Sequence, residues 1–107
     1  VKSHSHSLHT RIIRAGIRVT TCRYRVVAVG FNHTGAIIGI ATNSPRLPMR
    51  GFHAEETLIR RSPRSLARIL IARVGHEGTL LPIDPCEQCQ RLAAKYSIKI
   101  EAYKECR

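Results

Sequence analysis

Two adjoining stretches decide the fold: His53-Ala54-Glu55-Glu56-Thr57-Leu58-Ile59-Arg60-Arg61-Ser62-Pro63, and, a few positions on, Ala67-Arg68-Ile69-Leu70-Ile71-Ala72-Arg73-Val74. The first reads as a helix from about Ala54 to Arg61, because Ser62-Pro63 stops it. The second is a nearly unbroken apolar run and reads as a strand lying centrally in a sheet. Before them, Ala36 to Thr42 (Ala-Ile-Ile-Gly-Ile-Ala-Thr) also reads as a strand, so the helix bridges two strands. After them, Gly75 to Gly78 reads as a turn, Cys86 to about Tyr96 as a helix and Ile98 to Tyr103 as an alternating strand.

Towards the N-terminus, Tyr24 to Val29 is valine-rich and reads as a strand, joined by the Gly30–Gly35 turn to Ala36–Thr42 as a hairpin. Asn43 to Gly51 carries Pro45 and Pro48 and reads as a loop. Leu8, Ile12, Ile13, Ala15, Ile17 and Val19 roughly follow helical spacing, and Arg11, Arg14 and Arg18 share one face of that helix; Gly16 weakens it. Residues 1–7 are rich in Ser and His and are expected to form a flexible tail, leaving one domain over 8–107. Helix, strand, strand, helix, strand, helix, strand implies an α/β fold with a partly parallel sheet, helices on its faces and an antiparallel opening pair.

The 107-residue length allows one core. No apolar run approaches the roughly 18 residues needed to cross a bilayer, and no signal-peptide core is present. The expectation is a soluble cytoplasmic protein with no membrane partner. Net charge is +11, distributed unevenly: residues 1–54 hold Lys2, Arg11, Arg14, Arg18, Arg23, Arg25, Arg46 and Arg50 and no acid, whereas all seven acids lie in residues 55–107. A field of that sign attracts phosphate, although a solvated basic surface is the plainer reading.

The chemistry lies in His53-Ala54-Glu55 and Pro85-Cys86-Glu87-Gln88-Cys89. Cys86 and Cys89 are three apart, so at a helix start both sulfurs can reach one ion, and the positive helix end favours thiolate. His53 opens the other helix. Imidazole and thiolates suit zinc, and three protein ligands leave a fourth position for water, as in catalytic sites. Glu55, two residues from His53, reaches the same cavity and can carry a proton from water to a ring nitrogen and then to a departing amine. Alone, Cys-x-x-Cys fits a redox pair and His-Ala-Glu is close to noise. Together, in this order, they form the zinc deaminase pattern. A structural zinc would need a fourth ligand, with Cys22, Cys106 or His76 as candidates.

On these motifs the chain resembles the cytidine and deoxycytidylate deaminase superfamily, most of all its small phage- and bacterium-type members, over nearly its whole length. The resemblance implies a three-layer sandwich, with a mixed four- to five-stranded sheet between helices on both faces. It implies one catalytic zinc on His53, Cys86 and Cys89, and Glu55 as proton shuttle. It places Asn43 against sugar or base, although Asn43 also fits a turn former that closes its strand. It puts Ala54 backbone near the base and gives a Pro-Cys loop carbonyl, at Pro85, to the exocyclic amine. Departures are the missing Asn-x-Glu-Asn nucleoside motif, the missing extra zinc site, the absence of Trp, and a chain end soon after the fourth strand read here.

The implied reaction is hydrolytic conversion of cytosine to uracil in a cytidine or deoxycytidine nucleoside or nucleotide, with release of ammonia. Arg46 and Arg50 are then candidates to hold a 5′-phosphate. Two alternatives stand beside it: a cytosine or adenine deaminase on single-stranded DNA or RNA, favoured by the charge and opposed by the scarcity of aromatics, and a non-enzymatic zinc-stabilised nucleic-acid module. A homo-oligomer is expected, since so small a domain gains from burying a face against a copy of itself.

Overall fold

The structure, a computed structural model, describes residues 2–18, 25–43, 53–75 and 77–104, with the side chains of 2–7 excepted. The elements are α1 (Lys2–Ile17), β1 (Arg25–Phe31), β2 (Ile37–Thr42), α2 (Ala54–Arg61), β3 (Arg68–Val74), β4 (Leu80–Leu81), α3 (Glu87–Ala94) and β5 (Lys99–Ala102).

The β1–β2 hairpin closes on Asn32. Its Oδ1 accepts hydrogen bonds from the backbone N–H of Thr34 (3.0 Å) and Ala36 (2.9 Å), and Gly35 supplies the positive φ of 88° that the turn requires. β1 continues through Gly30 and Phe31, where the sequence reading has a turn, and the register shifts at that point. β1 pairs antiparallel with β3 along its whole length, from Arg25 opposite Val74 to Phe31 opposite Arg68. On the other edge of β3, β5 pairs parallel (Arg68 with Lys99 to Ile71 with Ala102), and β4 pairs antiparallel at Arg73 and Val74. β3 is therefore central, and the sheet is mixed.

Period-two alternation divides the core into two layers. Val26 and Ala28 of β1 and Ile69 and Ile71 of β3 pack with Leu58 and Ile59 of α2 and Ala93 of α3. Val27, Val29 and Phe31, with Ala72 and Val74, pack on the other face against Ile12 of α1. The result is the expected three-layer sandwich: α1 on one face, α2 and α3 on the other.

The elements depart from the sequence reading at other points as well. α1 begins at Lys2 rather than Leu8, because no Gly or Pro interrupts residues 2–7 and the helix runs on through Ser and His. Val19, the expected end of that helix, lies outside the described residues. β4 is a two-residue strand, too short to give a periodic signal. Gly16, a weak point on propensity, has a packing reason: a Cβ there would lie 2.5 Å from Val74 Cβ, so glycine lets α1 approach β3.

The topology gathers several chain ends at one end of the sheet. β2 and β3 are both antiparallel to β1, so they run the same way, and β5 runs parallel to β3. Each of α2 and α3 returns against that direction to begin the next strand. Their N-termini therefore lie where β2, β3 and β5 end. No described helix is long and apolar enough to cross a membrane.

Candidate metal centre

His53 is the N-cap of α2 (φ −71°, ψ 144°) and Cys86 the N-cap of α3 (φ −65°, ψ 130°). Both backbones are extended, and both carbonyls accept the first helical hydrogen bond, from Thr57 N–H (3.1 Å) and Gln90 N–H (2.9 Å). Neither side chain caps its own helix. Both are turned to another use. Ala54, Leu58, Ile59 and Ala93 pack α2 and α3 together and so bring the two N-termini side by side.

One turn into α3, Cys89 is 4% exposed, and its Sγ lies 3.5 Å from His53 Nδ1. The ligand atoms of His53, Cys86 and Cys89 all lie within 4.8 Å of one another, and among the described residues this is the one such group of three or more His, Cys, Asp or Glu. Cys86 and Cys89 are free thiols. The cluster has the donors and the convergence to hold a metal ion. Cys22, His76 and Cys106, the candidates for a fourth structural ligand, lie outside the described residues.

Glu55 is 4% exposed and is the buried charged side chain among the described residues. It sits in the first turn of α2, where the positive end of the helix favours a carboxylate. Burial pushes the Cys89 thiol far up from its ordinary range, with the Glu55 carboxylate next and Cys86 after it. Glu55 follows His53 by two residues and so sits at the same helix start as that ligand candidate.

The remaining expected site residues divide. The Ala54 side chain is fully buried in the α2–α3 layer. The Pro85 carbonyl is approached by Gln90 Nε2 at 3.5 Å. Asn43 is tied to β1: its Oδ1 accepts from Val26 N–H at 3.0 Å and its N–H donates to Val26 O at 3.2 Å. That pairing continues the hairpin beyond Thr42 and gives Asn43 a structural task at the end of β2. Arg46 and Arg50 lie outside the described residues. The sequence reading did not single out Arg73. Period-two alternation from Ile69 and Ile71 puts it on the α2–α3 face near the end of β3, a half-buried cation towards the end of the sheet where the metal cluster lies. A cleft of about 430 Å³ opens between Leu81–Asp84 and Ala102–Lys104, but none of the cluster residues lines it.

This architecture defines the class: the chain has the fold of the cytidine deaminases. It is similar to the cytidine deaminase from Mycobacterium leprae, with a TM-score of 0.60 and 18% identity over 89% of this chain and 84% of that one. The cytidine deaminase from Mycobacterium tuberculosis gives 0.59 and 19% over 89% and 81%, and that from Burkholderia pseudomallei 0.57 and 18% over 83% and 76%. The sequence matches no protein-family model and no curated protein.

Proposed function

We propose that the protein is a zinc-dependent hydrolytic deaminase that converts a cytosine base, in a cytidine or deoxycytidine nucleoside or nucleotide, to uracil. The observation that carries this is the convergence of His53, Cys86 and Cys89 beside a buried Glu55. Tetrahedral zinc, with Zn–S about 2.3 Å and Zn–N about 2.0 Å, separates a sulfur from a nitrogen by about 3.5 Å. The 3.5 Å between Cys89 Sγ and His53 Nδ1 fits that edge. The similarity in fold to cytidine deaminases supports cytosine as the base.

Zinc, when bound, acts as a Lewis acid that brings the acidity of water towards neutrality. The rest of the reading concerns the chain's own groups. Cys86, Cys89 and His53 would hold the ion from two helix starts. Glu55 takes a proton from the attacking water and delivers it to a ring nitrogen, while the water oxygen bonds to the amidine carbon. The C–N bond to the exocyclic amine then breaks, Glu55 passes the second proton to the leaving nitrogen, and ammonia departs. The buried position of Glu55 keeps bulk water from competing for these protons.

The test is a screen for ammonia release with zinc-loaded protein over cytidine, deoxycytidine, their monophosphates, adenosine, guanine and single-stranded oligonucleotides. The reading expects turnover on a cytosine nucleoside or nucleotide. Turnover confined to oligonucleotides would move the substrate to the strand, a second reading that the basic face of α1 favours. No ammonia from any of them would remove the enzymatic reading.

A further inference from the structure

The acid-free first half of the sequence acquires a location in the fold. Arg11, Arg14 and Arg18 are all exposed, and among the described residues none has an ion pair or hydrogen-bonded side-chain partner. Four bases of the second half are paired instead: Arg60 with Glu56 (2.8 Å), Arg91 with Glu87 (2.7 Å), and Arg68 and Lys99 with Glu101 (both 3.9 Å). Arg18, the residue after α1, continues the helical path through its N–H to Arg14 O (3.3 Å), and at about 100° per residue the three arginines fall within an arc of about 60°, on the side of α1 away from the stripe of Ile12 and Gly16 that packs on the sheet. The three arginines therefore form a single-sign face exposed on the outside of the sandwich. It is about 10 Å long, from seven residues at 1.5 Å each.

We infer that this face docks the sugar–phosphate backbone of a single-stranded nucleic acid. Arginine suits the task, since its planar fork pairs with phosphate in two places and stacks on bases. All three positions are Arg, none Lys. The length of the stripe spans a short run of nucleotides. The C-terminal turn of α1 packs on the turn after β3, where a Cβ on Gly78 would touch Ile13 and Ile17 at 3.4 Å. Arg18 thus lies at the end of the sheet where α2 and α3 begin, but on the opposite face, so a strand held along α1 passes round that end to reach the His53–Cys86–Cys89 cluster. The choice of single strand over duplex rests on the reading of the site as a base deaminase, because such a site takes only an unstacked base. The basic face itself does not depend on that reading.

Fluorescence anisotropy with labelled cytosine-containing oligonucleotides of about 20 nucleotides, as DNA and as RNA, tests this across a salt series. The protein carries Glu55→Ala throughout, so that binding is read without turnover. The variant Arg11→Gln/Arg14→Gln/Arg18→Gln is compared with Arg61→Gln/Arg64→Gln/Lys95→Gln, which removes the same charge elsewhere. Gln keeps helix propensity, and circular dichroism confirms α1. The α1 variant is expected to weaken binding by 10-fold or more at about 0.1 M salt and to flatten the salt slope by about 2, whereas the control changes affinity by less than about 2-fold. Equal weakening by both variants, an unchanged slope, no binding by the parent protein, or tighter binding of a duplex of the same length would each overturn the inference. A failed ammonia screen would leave these binding results standing, so the two readings fail separately.

Discussion

Cys89 Sγ and His53 Nδ1 lie 3.5 Å apart although 36 residues separate them in the chain. The two residues come from the first turn of one helix and the N-cap of another, and the packing of α2 on α3 sets their separation. Replacing Cys89 with alanine removes one of three ligands. Metal content measured after zinc loading and dialysis is expected to fall from about one ion per chain to a small fraction of that. Stoichiometric zinc in Cys89→Ala would show that the ligand set is wrong.

A pH dependence follows from the same thiol. Burial first, then Glu55 and Cys86, raises Cys89 above its ordinary value of about 9. The thiol is neutral when protonated. Above about pH 9 the metal-free folded chain therefore keeps a proton that the unfolded chain has released. The associated stability is fully present below pH 9 and is lost as pH rises towards the raised value. Thermal melts of chelator-treated protein from pH 7 to 10 should show a fall above pH 9 that is shallower in Cys89→Ala. Zinc takes the thiolate, so binding releases a proton and affinity should climb with pH through neutrality. A pH-independent affinity would contradict this.

Asn43 and Val26 form a two-way pair at the end of the hairpin. Asn43→Ala strips the acceptor from Val26 N–H and should cost about 1–3 kcal/mol in urea unfolding. Asn43→Asp keeps an acceptor and should cost less. Equal stability of all three proteins would show that this pair contributes nothing.

Gly16→Ala sets propensity against packing. Alanine gains about 1 kcal/mol in a helix interior, yet its Cβ would collide with the Val74 side chain. A net loss of about 1–3 kcal/mol is expected, with recovery in the double variant Gly16→Ala/Val74→Ala. A stabilised single variant would mean that α1 stands further from β3.

Much of this was legible in the sequence, for physical reasons. α2 was bounded correctly because Ser62-Pro63 stops it, and β3 to within one residue because its apolar run, with Arg68 and Arg73 only towards its ends, suits a central strand. The His53–Cys86–Cys89 group was legible because its members sit at helix starts, where spacing alone fixes proximity within a motif. What brings His53 to Cys89 was not: that depends on α2–α3 packing, a tertiary contact. β4 gave no signal because two residues carry no period. Gly16 read only as a weak point of a helix that does form, because propensity ignores a neighbouring strand. That Asn43 closes its strand was one reading of the sequence, but its partner Val26 was hidden because it is distant in the chain. Arg73 could have been found from the alternation of Ile69 and Ile71.

The most direct test of the central claim compares Glu55→Ala with the parent protein, measuring zinc content and ammonia release from cytosine nucleosides and nucleotides on the same samples. The account predicts full zinc in both and a loss of turnover of at least about 100-fold in Glu55→Ala. Loss of zinc from Glu55→Ala, or turnover that survives the substitution, would contradict it.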